Sequence, residues 1–166
     1  NAFRAIDRAH FVRPMNAREA YGDYPLPIGG GGTISQPSTV AFMLELLAPA
    51  RGDTILDVGS GSGWTTALLA EIVGPKGRVI GVEIVPELVQ FGQKNLAKYN
   101  VANAEIVAAR DDVLGLPGRG PFDKILVSAA AEELPEELEE QLKTGGRMVI
   151  PVGNSESKIQ KRADGT

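Results

Sequence analysis

The sequence contains no cysteine and a single histidine, His10, among its 166 residues. Without cysteine the chain has no disulfide scaffold, no thiolate metal ligand and no cysteine nucleophile, and we expect no metal site. The same composition is typical of a cytoplasmic protein, which is the location we expect. The histidine stands beside apolar residues, a setting more typical of packing than of catalysis, so we assign it no role.

Long apolar runs and an excess of basic residues are also absent. No stretch approaches the roughly 18 consecutive apolar residues that span a membrane, and we expect neither a membrane anchor nor a secretory signal. The net charge of −4 argues against a nucleic-acid partner, because such partners usually require a basic face. A length of 166 residues, 43% of them hydrophobic, is enough for one core and short for two. We therefore predict a single domain over residues 1–166.

Three glycines at alternate positions, Gly59, Gly61 and Gly63, separate two apolar stretches. Residues 54–58 before them predict a buried parallel strand, and residues 64–70 after them predict a helix. Glycine allows a tight turn and lets a ligand touch the backbone, and the first turn of the helix offers free N–H groups. The pattern predicts a ligand-binding loop, with a glycine-rich turn that binds nothing as the alternative.

The spacing of these glycines indicates which ligand the loop binds. A dinucleotide fingerprint, Gly-x-Gly-x-x-Gly, would need its last glycine at position 64, where the chain has Trp64. An acidic residue, Asp57, instead stands just before a Gly-x-Gly-x-Gly sequence that includes Ser60. This arrangement resembles the first motif of class I S-adenosylmethionine-dependent methyltransferases.

The segment before this strand combines prolines, glycines and one amphipathic helix. Residues 21–28 are interrupted by prolines and predict an extended arm. Pro37 suits the first turn of a helix, with Ser35 or Gln36 at its cap, and on periodicity alone Ser35 would be only a capping residue. Four apolar residues share one face of that helix: Val40, Met43, Leu44 and Leu47. Four consecutive glycines at positions 29–32 are costly unless the chain bends sharply or approaches a ligand there.

Three motifs together resemble the protein-L-isoaspartate (D-aspartate) O-methyltransferases, a family of protein repair enzymes. They are Tyr21-x-Asp23-x-Pro25-Leu26-Pro27-Ile28-Gly29, Thr33-Ile34-Ser35-Gln36-Pro37 and the loop from Asp57 to Gly63. The second motif is the distinctive one, because other methyltransferases share only the glycine loop. The similarity runs from about residue 11 to residue 153. It implies a Rossmann-like, doubly wound α/β fold, with a mostly parallel sheet and helices on both faces.

The resemblance also implies the reaction and the site. A methyl group would pass from S-adenosyl-L-methionine to the free carboxylate of L-isoaspartyl and D-aspartyl residues, leaving S-adenosyl-L-homocysteine. A carboxylate is already ionised at neutral pH, so the reaction needs alignment and removal of water rather than a strong base. We predict that Ser35 is the catalytic residue and orients the carboxylate. The residues predicted to bind the cofactor are Thr33, Ile34, Asp57, Gly59, Ser60, Gly61, Gly63, Glu83, Ile84, Asp111 and Asp112.

Two further strand ends supply the last of these residues. Residues 77–83 predict the second parallel strand, ending in Glu83, whose carboxylate can accept both ribose hydroxyls of a nucleoside. Residues 104–109 predict a third strand that brings Asp111 to the same edge, where the resemblance implies an acceptor for the adenine amine. The family usually has Gly-Asp-Gly at this point, whereas this chain has a charged residue on each side of the acid.

The C-terminal part of the sequence predicts two more strands and an incomplete sheet edge. Residues 122–131 predict a fourth strand with a rim of small residues, residues 132–140 a solvated acidic helix face, and residues 147–153 a fifth strand. Residues 158–162 are the remaining strand material, whereas class I methyltransferases generally have seven strands. We expect truncated C-terminal strands and favour a fragment, with an internal deletion or a different cover for the sheet edge as alternatives.

These boundaries divide the predicted domain into an arm over residues 1–35, a Rossmann-like core over residues 36–153 and an incomplete C-terminal part over residues 154–166. Three functions remain open. The first is an isoaspartyl methyltransferase that acts as a monomer on isoaspartyl-containing proteins and peptides. The others are a methyltransferase for a small molecule or RNA, and a non-catalytic module that keeps the fold without its ligand.

Overall fold

The computed structural model describes residues 1–129, 131–152 and 158–163, and within those ranges a six-stranded sheet forms its centre. In chain order the strands are β1 (Leu26–Gly29), β2 (Gly32–Ile34), β3 (Thr54–Val58), β4 (Arg78–Glu83), β5 (Ala104–Ala108), β6 (Phe122–Val127), β7 (Leu142–Val152) and β8 (Lys158–Ala163). The α-helices are α1 (Ala2–Ala5), α2 (Pro37–Leu47), α3 (Trp64–Val73), α4 (Pro86–Leu96) and α5 (Glu136–Glu139). Short 3-10 helices lie at Arg8–Phe11, Pro14–Glu19 and Pro117–Arg119. In this described part of the chain, no helix is both long and apolar enough to cross a membrane.

The central sheet has the order β5-β4-β3-β6-β7-β8, in which the first five strands run parallel and β8 is antiparallel to β7. The chain enters the sheet at β3, winds outward through β4 and β5, and then continues on the other side of β3. The strand order therefore reverses between β3 and β6. In such sheets ligands bind at this point, beyond the carboxyl ends of the strands. The predicted Rossmann-like, mostly parallel sheet is confirmed.

The strand boundaries follow the sequence pattern closely at β4 and β5 and less closely at β7. β4 and β5 begin and end within about one residue of the predicted segments 77–83 and 104–109. β7 begins at Leu142, earlier than predicted, and its pairing with β6 contains an irregularity. Gly145 lies in this early part with φ of +78°, which glycine adopts without strain, so the strand continues through residues that suggest a turn. Gly153, the predicted end of this strand, lies outside the described residues.

Alternate side chains of the strands enter two separate hydrophobic cores, because successive residues of a strand point to opposite faces. On one face the sheet packs against α2, α3 and α4, and the strand residues buried there are Ile55, Val79, Ile106, Leu126 and Val149. On the other face the buried strand residues are Leu56, Val58, Ile80, Val82, Phe122, Ile125, Val127, Met148 and Ile150, together with Leu138 of α5. Helices thus lie on both faces as predicted, although within the described ranges α5 is the one α-helix in the second core.

The acidic segment at residues 132–140 is less helical than predicted. Its helix extends only over Glu136–Glu139 and follows Pro135 at the N-cap. Leu138 is fully buried, while Glu136 and Glu137 are exposed. The predicted solvated acidic face is therefore present, but on about one helical turn.

The start of α2 is capped by a side chain of the N-terminal arm, which lies well before the helix in the sequence. Gln36, one of the two predicted positions, is the N-cap residue, but its side chain makes no capping bond. The capping group is Asp23, whose Oδ1 accepts a hydrogen bond from the Ser38 backbone N–H at 2.9 Å, and this bond lowers the pKa of Asp23. α2 buries its predicted face, formed by Val40, Met43, Leu44 and Leu47. The acid in the arm motif thus fixes the start of α2, close to Ser35.

The four consecutive glycines form the turn of a β-hairpin, in which β1 and β2 pair antiparallel. Gly29, Gly30 and Gly31 have φ of +93°, +58° and +77°, which glycine adopts readily and other residues do not. A Cβ atom on Gly30 would lie 2.8 Å from Val85 Cγ1, so the turn also packs against the start of α4. The four glycines are predicted to allow either a sharp bend or the approach of a ligand, and the backbone shows the sharp bend.

Candidate active site

The loop after β3 makes a tight turn that requires glycine. Gly59, Gly61 and Gly63 have φ of +77°, +52° and +87°. The N–H groups of Gly59 and Ser60 both donate to the carbonyl of Val82, at 2.9 and 3.0 Å, and so tie the loop to the end of β4. Gly63 begins α3 as its N-cap residue. The predicted order of strand, tight loop and helix is confirmed here.

The glycines of this loop differ in their surroundings. A Cβ atom on Gly63 would lie 2.9 Å from Ile106 Cδ1 and 3.1 Å from the carbonyl oxygen of Gly92, so glycine here allows α3 and α4 to approach each other. A Cβ atom on Gly59 would have Ser128 Cβ as its near neighbour, at 4.0 Å. Gly59 therefore faces open space between the ends of β3 and β6, where the strand order reverses.

Asp57 lies near the end of β3 and is fully buried. Its Oδ2 accepts hydrogen bonds from the hydroxyls of Thr65 and Thr66, each at 2.7 Å, and its Oδ1 has no partner. Burial raises the pKa of Asp57 to about 6; the two threonine bonds oppose this change, and the charge of Glu83 adds to it. The carboxylate thus joins the end of β3 to the first turn of α3.

Two side chains from outside the loop hold it in place. Glu83, which is 7% exposed, accepts hydrogen bonds from the N–H of Gly61 at 2.9 Å and from the N–H of Val85 at 3.0 Å. Asn95 of α4 is buried, and its amide donates to the carbonyl of Ser62 at 3.0 Å. Glu83 occupies its predicted place at the end of β4. Sequence reasoning misses Asn95, although a polar residue on the buried face of a helix is a usable signal.

A small pocket of about 30 Å³ lies between this loop and the end of the N-terminal arm. Its lining residues are Thr33, Ile34, Ser35, Gly59, Ser60, Gly61, Ser62, Trp64, Thr65 and Ser128. Six of them are predicted site residues, so the fold brings the predicted catalytic Ser35 and part of the predicted cofactor loop into one pocket. The other four lining residues, Ser62, Trp64, Thr65 and Ser128, are not among the predicted site residues, although Ser128 belongs to the predicted rim of small residues after β6.

The other six predicted residues lie outside this pocket. Asp57, Gly63 and Glu83 support the loop as described above, and the remaining three are exposed. Ile84 is 57% exposed, and Asp111 and Asp112 are exposed on the segment after β5. Asp112 forms a surface ion pair with Arg110 at 2.9 Å. Because β5 pairs with β4 as far as Glu83, all of these residues lie at the carboxyl edge of the sheet. Their cofactor roles stay predictions.

The donors and acceptors around the loop fit a polar ligand. Asp57 Oδ1, Ser60 Oγ and Trp64 Nε1 are buried and have no hydrogen-bond partner. Buried polar atoms normally have partners, so unpartnered atoms around a pocket fit a site that receives polar groups. The first N–H groups of α3 have no acceptor within the helix and suit a carboxylate. The groups around the loop are therefore suited to the polar and charged parts of a ligand.

The sheet order, the Gly-x-Gly-x-Gly loop after the central strand and the acid at the end of the neighbouring strand define the class of the protein. Its fold and its loop are those of the class I S-adenosylmethionine-dependent methyltransferases. The family follows from comparison with known proteins. The model of the protein-L-isoaspartate (D-aspartate) O-methyltransferase family matches residues 1–166, and the chain belongs to this family.

Individual relatives agree with this assignment. A protein-L-isoaspartate O-methyltransferase from Aeropyrum pernix is 46% identical over 99% of this chain and 65% of its own length. One from Thermococcus onnurineus is 49% identical over 92% of this chain and 69% of its own length. The chain therefore spans about two thirds of these two curated relatives.

A solved structure agrees as well. The crystal structure of a candidate protein-L-isoaspartate O-methyltransferase from Plasmodium falciparum, in complex with S-adenosyl-L-homocysteine, matches with a TM-score of 0.81. It is 29% identical in sequence, and the match covers 100% of this chain and 86% of that one. A protein with a closely similar fold is thus known in complex with S-adenosyl-L-homocysteine.

Proposed function

We propose that this chain is a protein repair enzyme that methylates the free carboxylate of L-isoaspartyl and D-aspartyl residues in damaged proteins and peptides. The observation that supports this function most directly is the pocket between Ser35 and the glycine loop. One side of the pocket is the Thr33-Ile34-Ser35 element, which is distinctive of the family, and the other is the loop that methyltransferases share. An acceptor element and a cofactor element therefore face the same space.

The cofactor would be held at the carboxyl ends of β3, β4 and β5. S-adenosyl-L-methionine supplies, when bound, an electrophilic methyl group, which the acceptor carboxylate takes up as a methyl ester, with S-adenosyl-L-homocysteine as the product. Gly59 keeps a side chain out of the space for the ligand, whereas Gly61 leaves room for the Ile28 side chain of β1. The Glu83 oxygens each accept one backbone N–H and have a further lone pair for a ribose hydroxyl. Asp111 is exposed and is the proposed acceptor for the adenine amine.

Ser35 is the proposed catalytic residue, and its task is orientation. An isoaspartyl carboxylate has an ordinary pKa near 4 and is ionised at neutral pH, so the protein needs no general base. The Ser35 hydroxyl donates a hydrogen bond to one carboxylate oxygen and leaves the other oxygen free to react. This assignment explains why a chain with one histidine and no cysteine can catalyse the reaction.

The walls of the pocket contribute alignment and the exclusion of water. Ile34 and Trp64 line the pocket, and both side chains are almost fully buried against the core. Holding two reactants in a productive arrangement can lower the barrier by roughly 7–11 kcal/mol in favourable cases. A narrow, partly apolar pocket is suited to this contribution because it leaves little room for competing water.

The proposal extends to the organisation of the protein. Residues 1–35 act as an arm that forms the acceptor side of the pocket, and residues 36–153 act as the Rossmann-like core. The substrates are isoaspartyl-containing proteins and peptides, and the active form is a cytoplasmic monomer. Light scattering coupled to size-exclusion chromatography tests the oligomeric state, because a dimer mass would contradict the monomer.

The activity is tested with a pair of peptides that differ only in one residue, L-isoaspartate or normal L-aspartate. With radiolabelled S-adenosyl-L-methionine, we expect base-labile methyl ester on the isoaspartyl peptide and none on the aspartyl peptide. Calorimetry with S-adenosyl-L-homocysteine is run on the same protein. Saturable binding without ester would favour a different methyl acceptor, such as a small molecule or RNA. The absence of binding at millimolar ligand would favour a non-catalytic module.

A further inference from the structure

Arg8 is a buried arginine that connects the N-terminal arm to Ser35. The residue is 4% exposed and begins the 3-10 helix Arg8–Phe11. Its guanidinium donates four hydrogen bonds to backbone carbonyls, those of Ala20 at 2.7 Å, Gly22 at 3.3 Å, Tyr24 at 3.0 Å and Ser35 at 3.0 Å. One side chain therefore holds three carbonyls of the arm and the carbonyl of the proposed catalytic residue in a fixed arrangement.

The charge of Arg8 is not neutralised by a direct ion pair. Among the described residues, no carboxylate lies within ion-pair distance of the guanidinium, and the Arg8 Nε atom has no hydrogen-bond partner. Burial lowers the pKa of Arg8, and the charge of Asp23 opposes this change without contacting the guanidinium. A buried cation without a carboxylate partner is costly for folding. Stability alone is therefore a poor explanation for arginine at this position.

Arg8 also lies against a second wall of the pocket. Its guanidinium carbon is 5.4 Å from the centre of the Trp64 ring, and Trp64 lines the pocket together with Ser35. The planar guanidinium offers five N–H donors in a rigid fork and can stack flat on an aromatic ring, whereas the ammonium of lysine has three donors and no plane to stack. The contacts of Arg8 thus define the positions of Ser35 and Trp64 relative to each other.

We propose that Arg8 is a positioning residue of the acceptor site, an inference that rests on the proposed function. One of its four hydrogen bonds holds the Ser35 carbonyl, and the other three hold the arm beside it, so together they set the direction from which the Ser35 hydroxyl enters the pocket. Its buried positive charge, next to Ser35, favours an anionic acceptor such as the isoaspartyl carboxylate. In the described part of the chain no hydrogen bond or ion pair joins Arg8 to the glycine loop from Gly59 to Gly63 or to Glu83, so we expect Arg8 to affect acceptor binding more than cofactor binding.

The test compares three variants in the isoaspartyl peptide assay. Arg8→Met removes the charge and the hydrogen bonds, and Arg8→Lys keeps the charge but loses the planar fork. Arg13→Met is the matched control, because Arg13 ties the same arm to Glu87 at 2.7 Å and lies 3.9 Å from the Phe91 ring centre, without contacting Ser35. The single tryptophan, Trp64, reports by its fluorescence whether each variant keeps the native packing around Arg8.

The expected result separates acceptor binding from cofactor binding. For Arg8→Met we expect KM for the isoaspartyl peptide to rise by about tenfold or more, because hydrogen bonds and charge at the acceptor site are lost together. The Kd for S-adenosyl-L-homocysteine should stay within about threefold of wild type. Arg8→Lys should recover much of the KM, since it keeps the cation, but with a lower kcat because Ser35 is less well fixed. Arg13→Met should keep both constants close to those of wild type.

Other outcomes would overturn the role of Arg8. Equal kcat and KM in wild type and both Arg8 variants would show that the pocket does not depend on it. A parallel loss of peptide activity and of cofactor affinity in Arg8→Lys, or an equal loss in Arg13→Met, would show a general structural role instead. If Arg8→Met does not fold, the kcat and KM of Arg8→Lys and its Kd for S-adenosyl-L-homocysteine test the role of Arg8 instead. A wild-type protein that binds S-adenosyl-L-homocysteine but forms no ester would overturn the proposed function and this inference with it.

Discussion

The Glu83 carboxylate accepts a hydrogen bond from the backbone N–H of Gly61 at 2.9 Å, and so joins the end of β4 to the glycine loop after β3. The second Glu83 oxygen accepts from the N–H of Val85, at the start of α4. Hydrogen bonds to an ionised acceptor are stronger than those between neutral groups. The conformation of the loop therefore depends on a side chain that is itself a predicted ligand of the cofactor.

Replacing Glu83 by glutamine tests this dependence. Glu83→Gln removes the charge and presents an amide NH₂ to one of the two backbone donors, so the loop loses a support. We expect the Kd for S-adenosyl-L-homocysteine to rise by about tenfold or more, equivalent to about 1.4 kcal/mol, as measured by calorimetry. Glu87→Gln is the control, because the Glu87 side chain is 63% exposed and pairs with Arg13 at the surface. An unchanged Kd in Glu83→Gln would contradict the prediction.

Asp57 makes the stability of the protein depend on pH. The pKa of Asp57 is about 6 in the folded protein against an ordinary value of 3.8, so between these values the folded state binds the proton more readily. The contribution of Asp57 to stability is therefore fully present below pH 3.8 and is lost as the pH rises through about 6. Asp57→Asn removes this dependence. We expect the unfolding free energy of Asp57→Asn, relative to wild type, to rise by about 3 kcal/mol across this window.

Urea unfolding at several pH values between about 3.5 and 7 measures this difference. Thr66→Val supplies an independent check, because it removes one of the two hydroxyl donors to Asp57 and should move the upper end of the window to higher pH. A difference between Asp57→Asn and wild type that does not vary with pH would exclude the raised pKa.

Gly63 and Gly52 form a matched pair for measuring the packing of the loop. Both have φ of +87°, but a Cβ atom on Gly52 has nothing within 4 Å, whereas one on Gly63 meets Ile106 at 2.9 Å. Alanine at either position costs about 1–2 kcal/mol of backbone strain. We expect Gly63→Ala to lose about 1–3 kcal/mol more than Gly52→Ala in urea unfolding, because of the added steric conflict. Equal losses would show that Ile106 and α4 move aside for the added methyl group without a measurable cost.

Ser35 can be tested separately from the cofactor site. Ser35→Ala removes the hydroxyl that is proposed to orient the carboxylate, and a hydrogen bond to a charged group is worth about 1.5–3 kcal/mol. We expect kcat/KM for an isoaspartyl peptide to fall by roughly 10- to 100-fold, with little change in the Kd for S-adenosyl-L-homocysteine. Ser38→Ala, at an exposed position in the first turn of α2, is the control and should remain active. If Ser35→Ala keeps the wild-type kcat/KM, Ser35 does not orient the carboxylate and its role is structural.

Features that depend on neighbouring residues could be predicted from the sequence. The spacing of Val40, Met43, Leu44 and Leu47 predicts the buried face of α2, because side-chain direction in a helix repeats every 3.6 residues. The limits of β4 and β5 also follow from the local pattern of apolar residues, and the turn at Gly59 to Gly63 follows from the spacing of its glycines. Each of these features depends on backbone geometry that a few adjacent residues set by themselves.

Contacts between distant segments could not be predicted, because no repeating pattern in the sequence indicates which remote residues will meet. Asp23, rather than Ser35 or Gln36, supplies the side chain that caps α2. Arg8 bonds the carbonyl of Ser35, 27 residues away, and Asn95 bonds the carbonyl of Ser62, 33 residues away. β7 likewise extends further than its pattern indicates, because its early part gains pairing with β6.

The amino-acid sequence alone therefore determines most of the helices and strands, the glycine loop and the family resemblance of the Thr33-Ile34-Ser35 element, but not the early part of β7. The pocket that unites Ser35 with Gly59 and Ser128 is a property of the fold. Local backbone preferences act between neighbours, whereas a pocket forms where the order of the strands and the packing of the arm bring remote segments together.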